Sequence, residues 1–147
     1  MVEQLYILST LVMGLFAGIL LTKAMVFVPY WRRIQPSEFF SLHGSLGPSL
    51  FRYFSPLTSV AVVLSVIVTL VAGTSNIPWL FSAGFCIMAL VIFFICFRAV
   101  NNRFATHDIP EQELSGELQK WSNWHWVRTV LVITAFAASI YGRTIGS

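Results

Sequence analysis

Residues Ile77 to Ala99 read IPWLFSAGFCIMALVIFFICFRA, and no charged side chain interrupts them before Arg98. A helix needs roughly 20 apolar residues to cross about 30 Å of hydrocarbon, and this run supplies them without a polar face. Pro78 suits the first turn, and Asn76 is expected to be the N-cap. Immediately upstream, Gly73-Thr74-Ser75-Asn76 is too short to do anything but reverse the chain, so the apolar run Leu57 to Val71 before it is an antiparallel neighbour. Two further runs, Leu5 to Phe27 and Val130 to Tyr141, complete a set of four. Counting back from Gly73 and Gly142 as helix stops extends the two short ones. The expected spans are 5–28, 54–72, 77–99 and 123–141.

Composition agrees. Of the 147 residues, 56% are hydrophobic and 10% charged, with a mean hydropathy of +0.76. A soluble domain carries about 25% charged residues. Too few polar groups remain to cover a water-soluble globule, whereas a bilayer requires an apolar exterior. The first apolar run lacks the basic start of a signal peptide and is expected to stay as a helix. The fold class is therefore all-α: one membrane domain over 1–147, a four-transmembrane-helix bundle with short interfacial helices in the two longer loops. The lipid bilayer is its first partner.

Those loops, Tyr30 to Tyr53 and Val100 to Ser122, hold Arg32, Arg33, Arg52, Arg103 and Lys120, and Arg98 stands just before the second. With Lys23 and Arg128 at adjoining helix ends, eight of the nine basic residues lie on one side, and Arg143 alone lies on the other. The positive-inside rule makes the loops cytoplasmic and both termini non-cytoplasmic, in the inner membrane of a bacterium or in the endoplasmic reticulum or a related membrane of a eukaryote. The same placement accounts for a pI of about 9.2 without nucleic acid as a partner. Gly14 with Gly18, and Ala135 with Ser139, give small-xxx-small spacings for close packing within the bundle or in a homo-oligomer.

Cys86 and Cys96 are ten residues apart on one helix, about 15 Å, beyond disulfide reach. No CxxC supports disulfide exchange. His43, His107 and His125 share the basic side, but no pair has ligand spacing, so no metal is expected. No flavin, haem or phosphate-loop motif occurs, and no cofactor is expected.

The segment Trp121-Ser122-Asn123-Trp124-His125-Trp126-Val127-Arg128 is the best candidate for chemistry. At about 100° per residue, Trp121, Trp124, His125 and Arg128 share a third of a helix and Trp126 points away. Leu114 and Leu118 continue the stripe, so an amphipathic helix from Glu111 should run into the last span. An interfacial aromatic belt with a snorkelling arginine is the bland alternative. Polar groups at membrane depth usually face the interior, which favours a cavity lined by this face and the 36–53 segment. In that segment Ser37 is the expected N-cap of a short interfacial helix whose inner face carries Phe39, Leu42, His43 and Leu46. Lys23 can snorkel or join the site. Asn101 and Asn102 can cap the third helix or donate to a ligand.

The motif W-x-x-W-H-x-x-R-T, here Trp121 to Thr129, resembles the anthrone-oxygenase-like family of small four-helix membrane proteins. Asn101-Asn102 after the third helix, and a first helix with Gly14, Ala17 and Gly18 that ends in Val28-Pro29, support the likeness. The family usually separates its two asparagines, whereas these are adjacent. The resemblance implies oxidation of anthrones to anthraquinones by molecular oxygen, with a hydrophobic aromatic or quinone-like small molecule as substrate. An anthrone must lose a benzylic proton to give an enolate before oxygen can take an electron from it. His125 would be the base and Arg128 the cation. Trp121 and Trp124 would form a flat slot, with Asn101, Asn102 and His43 as further substrate contacts. The competing readings are a non-catalytic protein that binds lipid or assists assembly of a partner, and, ranked last, a small transporter.

Overall fold

In a computed structural model, which describes residues 2–73 and 75–146, the chain forms four long helices. They are α1 (Val2–Trp31), α2 (Pro36–Ala72), α3 (Ile77–Ala105) and α4 (Glu111–Gly146). No strand occurs among the described residues. α1, α2 and α3 are each long and apolar enough to cross a membrane. α4 is as long but less apolar.

The connections are shorter than the sequence suggests, because the expected interfacial helices are continuations of the long ones. α2 begins at Pro36, with Gln35 and not Ser37 at its N-cap, and runs unbroken through Pro48 and Pro56. Each proline forfeits one backbone bond, a loss that a long helix held by neighbours on both sides of the break can tolerate. At roughly 1.5 Å per residue its 37 residues span about 55 Å, well beyond the hydrocarbon. The excess projects on the basic side. α4 likewise runs without a break from Glu111, as the amphipathic stripe implies.

The turns are built from conformations their residues tolerate. Gly73 takes a positive φ of 81° and ends α2 as expected. Thr74 lies outside the described residues. His107 sits at φ 56° in the turn between α3 and α4. Asn76 precedes α3 but makes no side-chain cap; its Nδ2 donates instead to the Gly142 carbonyl, 3.3 Å away on α4. Gly142 does not stop α4 either. It is where α4 passes Trp79, whose ring atoms would lie 2.8 and 2.9 Å from a Cβ there.

Two helices contain a π-helical segment, Lys23–Phe27 in α1 and Phe93–Phe97 in α3. The first has a local cause: Pro29 has no N–H to give Met25, so the preceding turn widens and Val28 N–H reaches back to Lys23 O.

The interior is layered. Tyr6, Val68 and Trp79 fill the end near the termini, Phe16, Leu20, Ala61, Ala89 and Val132 the middle, and an aromatic group around Trp31, Phe39, Phe97, Phe104 and Trp121 the basic end. Several buried hydroxyls are bonded to backbone, Ser82 donating to Ala135 O at 2.9 Å and Thr69 to Trp79 O at 2.9 Å, whereas Ser9 Oγ is buried without a partner among the described residues. Leu11, Leu15, Val63, Leu70, Phe81, Ile95 and Val130 stand exposed on the outside. An apolar exterior over a core containing bonded polar groups is what a lipid solvent selects.

Candidate functional site

Four helices meet at the basic end of the bundle, with α2 contributing Phe39, His43 and Phe54. α4 contributes Trp121, His125 and Arg128; α1 contributes Leu20, Lys23 and Trp31; α3 contributes Phe93, Phe97 and Asn101. Both π segments border this place, since Lys23 opens one and Phe93 and Phe97 bound the other. A π turn re-aims side chains relative to an α-helix, a device that recurs at functional sites.

His125 is 1% exposed and its Nε2 lies 3.0 Å from Leu20 O. A carbonyl can only accept, so Nε2 carries the hydrogen and Nδ1 keeps the lone pair. The imidazole stacks on the Trp121 indole, with centroids 4.8 Å apart and planes inclined at 18°. Trp121 is itself fixed. Its Nε1 donates to Asn101 Oδ1 at 2.9 Å, and Trp31 and Phe97 meet its ring edge-on at 5.9 and 5.0 Å.

Arg128, 7% exposed, has no hydrogen bond or ion pair among the described residues, and its Nε is buried without an acceptor. What surrounds it is aromatic: Cζ lies 5.5 Å from the Phe16 centroid, 5.3 Å from Phe93 and 6.0 Å from Phe97. Lys23 is held in the same manner, its Nζ 5.4 Å from Trp31, 5.0 Å from Phe54 and 5.1 Å from Trp121. Ring faces attract cations through their quadrupoles, but they carry no net charge. Two cations therefore share one end of the bundle, and among the described residues neither is paired with a carboxylate.

The expected residues divide. Trp121, His125, Arg128 and Asn101 come together. His43 joins the edge of the group, stacked on Phe39 at 5.4 Å and edge-on to Trp31 at 6.0 Å, so it reaches His125 only through Trp31 and Trp121. Asn102 is exposed. Trp124 is 46% exposed and does not belong to the inner face. The buried side of α4 is marked by Leu118, Trp121, Ser122, His125, Thr129 and Val132. That stripe is centred on the His125 side, and Trp124 lies about 100° from its middle. Trp126 points outward as expected. Lys23, which could equally have snorkelled, is a central member.

Two clefts open at this end of the molecule. One cleft of about 90 Å³ lies between Trp31, Pro36, Leu114 and Leu118, and one of about 530 Å³ between the end of α1 and Trp126. Neither is lined by His125 or Arg128; Trp121 and Phe97 lie against the imidazole, and Phe16, Phe93 and Phe97 around the guanidinium. Among the described residues no three His, Cys, Asp or Glu side chains converge as metal ligands would. Cys86 and Cys96 are both free thiols.

A small helical membrane protein with a buried, uncompensated cationic and aromatic site is the class that this geometry defines. The family model described as anthrone oxygenase matches residues 48–138, and the chain belongs to that family. The match takes in Asn101, Trp121, His125 and Arg128, and leaves Lys23 and His43 outside it. No curated protein and no solved structure matches the chain.

Proposed function

We propose that this protein is an integral membrane oxygenase that oxidises a hydrophobic aromatic or quinone-like small molecule with molecular oxygen. The observation that carries the reading is Arg128: a guanidinium shut among phenyl rings whose Nε has no acceptor, three residues from an imidazole whose Nε2 is engaged by Leu20 O, so that in the neutral ring Nδ1 is the basic nitrogen. An unpaired buried charge costs stability, so its presence is best explained by a negative charge that arises only during reaction.

The chemistry follows from the groups. His125 Nδ1 accepts a benzylic proton, and the electron pair passes to the substrate carbonyl oxygen as an enolate. Arg128 stabilises that oxyanion, with Lys23 as the second cation of the site. The enolate yields its electrons to oxygen to form a carbon hydroperoxide, which loses water to leave the new carbonyl. One substrate CH2 and one O2 give one C=O and one H2O. Trp121, braced by Asn101, offers a flat wall for the polycycle.

Oxygen uptake by the purified protein with anthrone tests the reading. His125→Ala should reduce turnover by about 10² to 10⁴, the usual worth of a general base. Arg128→Ala should do so as well, and Arg128→Lys should retain a fraction, since it keeps the charge but loses the planar donor fork. Trp124→Phe should leave turnover within a few-fold, because that indole faces outward. A defect of only a few-fold at His125, or no oxygen-dependent turnover at all, would favour the lipid-binding or assembly reading, which the closed packing of the rings also suits.

A further inference from the structure

The cleft of about 530 Å³ between the end of α1 and the outer side of α4 lies apart from the buried cations and belongs to no part of the reaction above. Met25, Val28, Pro29 and Trp126 form its apolar wall, and Arg32 and Arg33 stand at one end. Its place along the chain sets its depth. The apolar run of α1 ends at Val28-Pro29 and the two arginines follow almost at once, so the cleft lies where hydrocarbon gives way to headgroups.

Two other cations at this end of the molecule have partners. Lys120 pairs with Glu117 at 2.9 Å and Arg103 with Glu117 at 4.0 Å. Arg32 and Arg33 are exposed, and among the described residues neither side chain has an ion pair or a hydrogen bond. Glu111 shares the adjoining small cleft with Arg32 yet forms no ion pair with it. Arg52 and Arg98 are also unpaired, but they line neither cleft. What sets Arg32 and Arg33 apart is the apolar trough that starts beside them.

We propose that this cleft is a binding site for an anionic phospholipid. The phosphodiester sits against the guanidiniums of Arg32 and Arg33, whose donor forks match phosphate oxygens, and the first acyl segments lie along Met25, Val28 and Trp126. A zwitterionic lipid offers the same phosphate together with an ammonium that two arginines repel, so the site discriminates by headgroup charge.

Native mass spectrometry of the full chain, released from detergent containing equal phosphatidylglycerol and phosphatidylcholine, tests this directly. The unsubstituted protein should retain phosphatidylglycerol with a preference of roughly ten-fold or more, as two arginines near a headgroup allow. The double substitution Arg32→Gln with Arg33→Gln should bring the preference close to parity. Arg52→Gln with Arg98→Gln removes the same charge from the same end and should leave it intact. An equal loss in both double variants would reduce the effect to general surface charge and overturn the site, as would a lack of preference in the unsubstituted protein. A second measurement does not depend on the arginine variants folding. Phosphatidylglycerol brominated near the top of its acyl chains should quench tryptophan fluorescence, and Trp126→Phe should remove that share of the quenching. Quenching that is undiminished in Trp126→Phe would place the lipid elsewhere.

Discussion

Arg128 makes opposite demands on stability and on chemistry, and a substitution can separate them. Its guanidinium is desolvated among Phe16, Phe93 and Phe97 with no carboxylate to offset the cost. Methionine has a similar length, no charge and good affinity for rings. Arg128→Met should therefore raise the thermal stability of the detergent-solubilised protein, by roughly 1–3 kcal/mol, while removing oxygen-dependent turnover. A drop in stability would mean that the cation–π contacts alone justify the arginine. Lys23→Met should behave in the same direction, and more weakly if its Nζ is the more easily hydrated of the two. The sequence made His125, Arg128 and Trp121 legible, because a polar group at membrane depth beside indoles has few structural uses. Trp124 misled for a geometric reason: four residues define a sector but not its centre, and here the centre lies toward Ser122 and Thr129, on the side away from Trp124. Lys23 was ambiguous because a lysine four residues from the end of an apolar run reads equally as a snorkel. Only the arrival of Phe54 and Trp121 from α2 and α4 decides it.

At the scale of the helices, glycine and the π turns carry the argument. A methyl group on Gly142 would stand 2.8 Å from Trp79 Cδ1 and 3.2 Å from Pro78 Cβ, and Trp79 is wholly buried. Gly142→Ala should accordingly cost about 1–3 kcal/mol, the usual penalty for overpacking. Gly18→Ala meets nothing within 4 Å and should be neutral or mildly stabilising, although the sequence marks Gly18 for close packing and Gly142 only as a helix stop. Thermal unfolding of the two variants side by side checks the contrast. The π segment of α1 allows a sharper test. Deleting Val26 would remove the extra residue, so Lys23–Phe27 should close as an α-helix with everything beyond it in nearly its present rotation and Trp31 still beside Lys23 and Trp121. The protein should still insert and keep oxygen uptake; a loss of turnover would mean that the wide turn itself is needed. Such segments escape a sequence reading, since one extra residue in a uniformly apolar helix changes no pattern. The same uniformity hid the continuity of α2, where Pro36, Gly44, Gly47 and Pro48 resemble a loop and only packing on both sides keeps the helix whole.

For the whole molecule, the place of α4 follows from what it packs against. Its own hydropathy does not place it among the candidate spans. Its partners along α1 do bear on it: Arg143 lies 3.8 Å from Glu3, Phe136 packs on Gly14, His125 reaches Leu20 O, and the Trp121 ring meets Trp31. These four contacts run from one end of α1 to the other, so α4 lies antiparallel to α1 over the same depth. If α1 crosses the bilayer, α4 must cross it too, with Arg128 turned inward so that lipid never meets the charge. Chain reversal would then put both termini on one side, and the positive-inside rule, applied to the eight basic residues of the opposite end, predicts that end in the cytoplasm. A fluorescent reporter that works only in the cytoplasm should be dark after Ser147 and bright when inserted in the exposed turn at Asp108. A bright signal at both positions would leave α4 outside the bilayer and remove the membrane-depth argument for Arg128. Bright after Ser147 and dark at Asp108 would invert the molecule, and would place the Arg32 and Arg33 cleft in the leaflet poorer in anionic lipid.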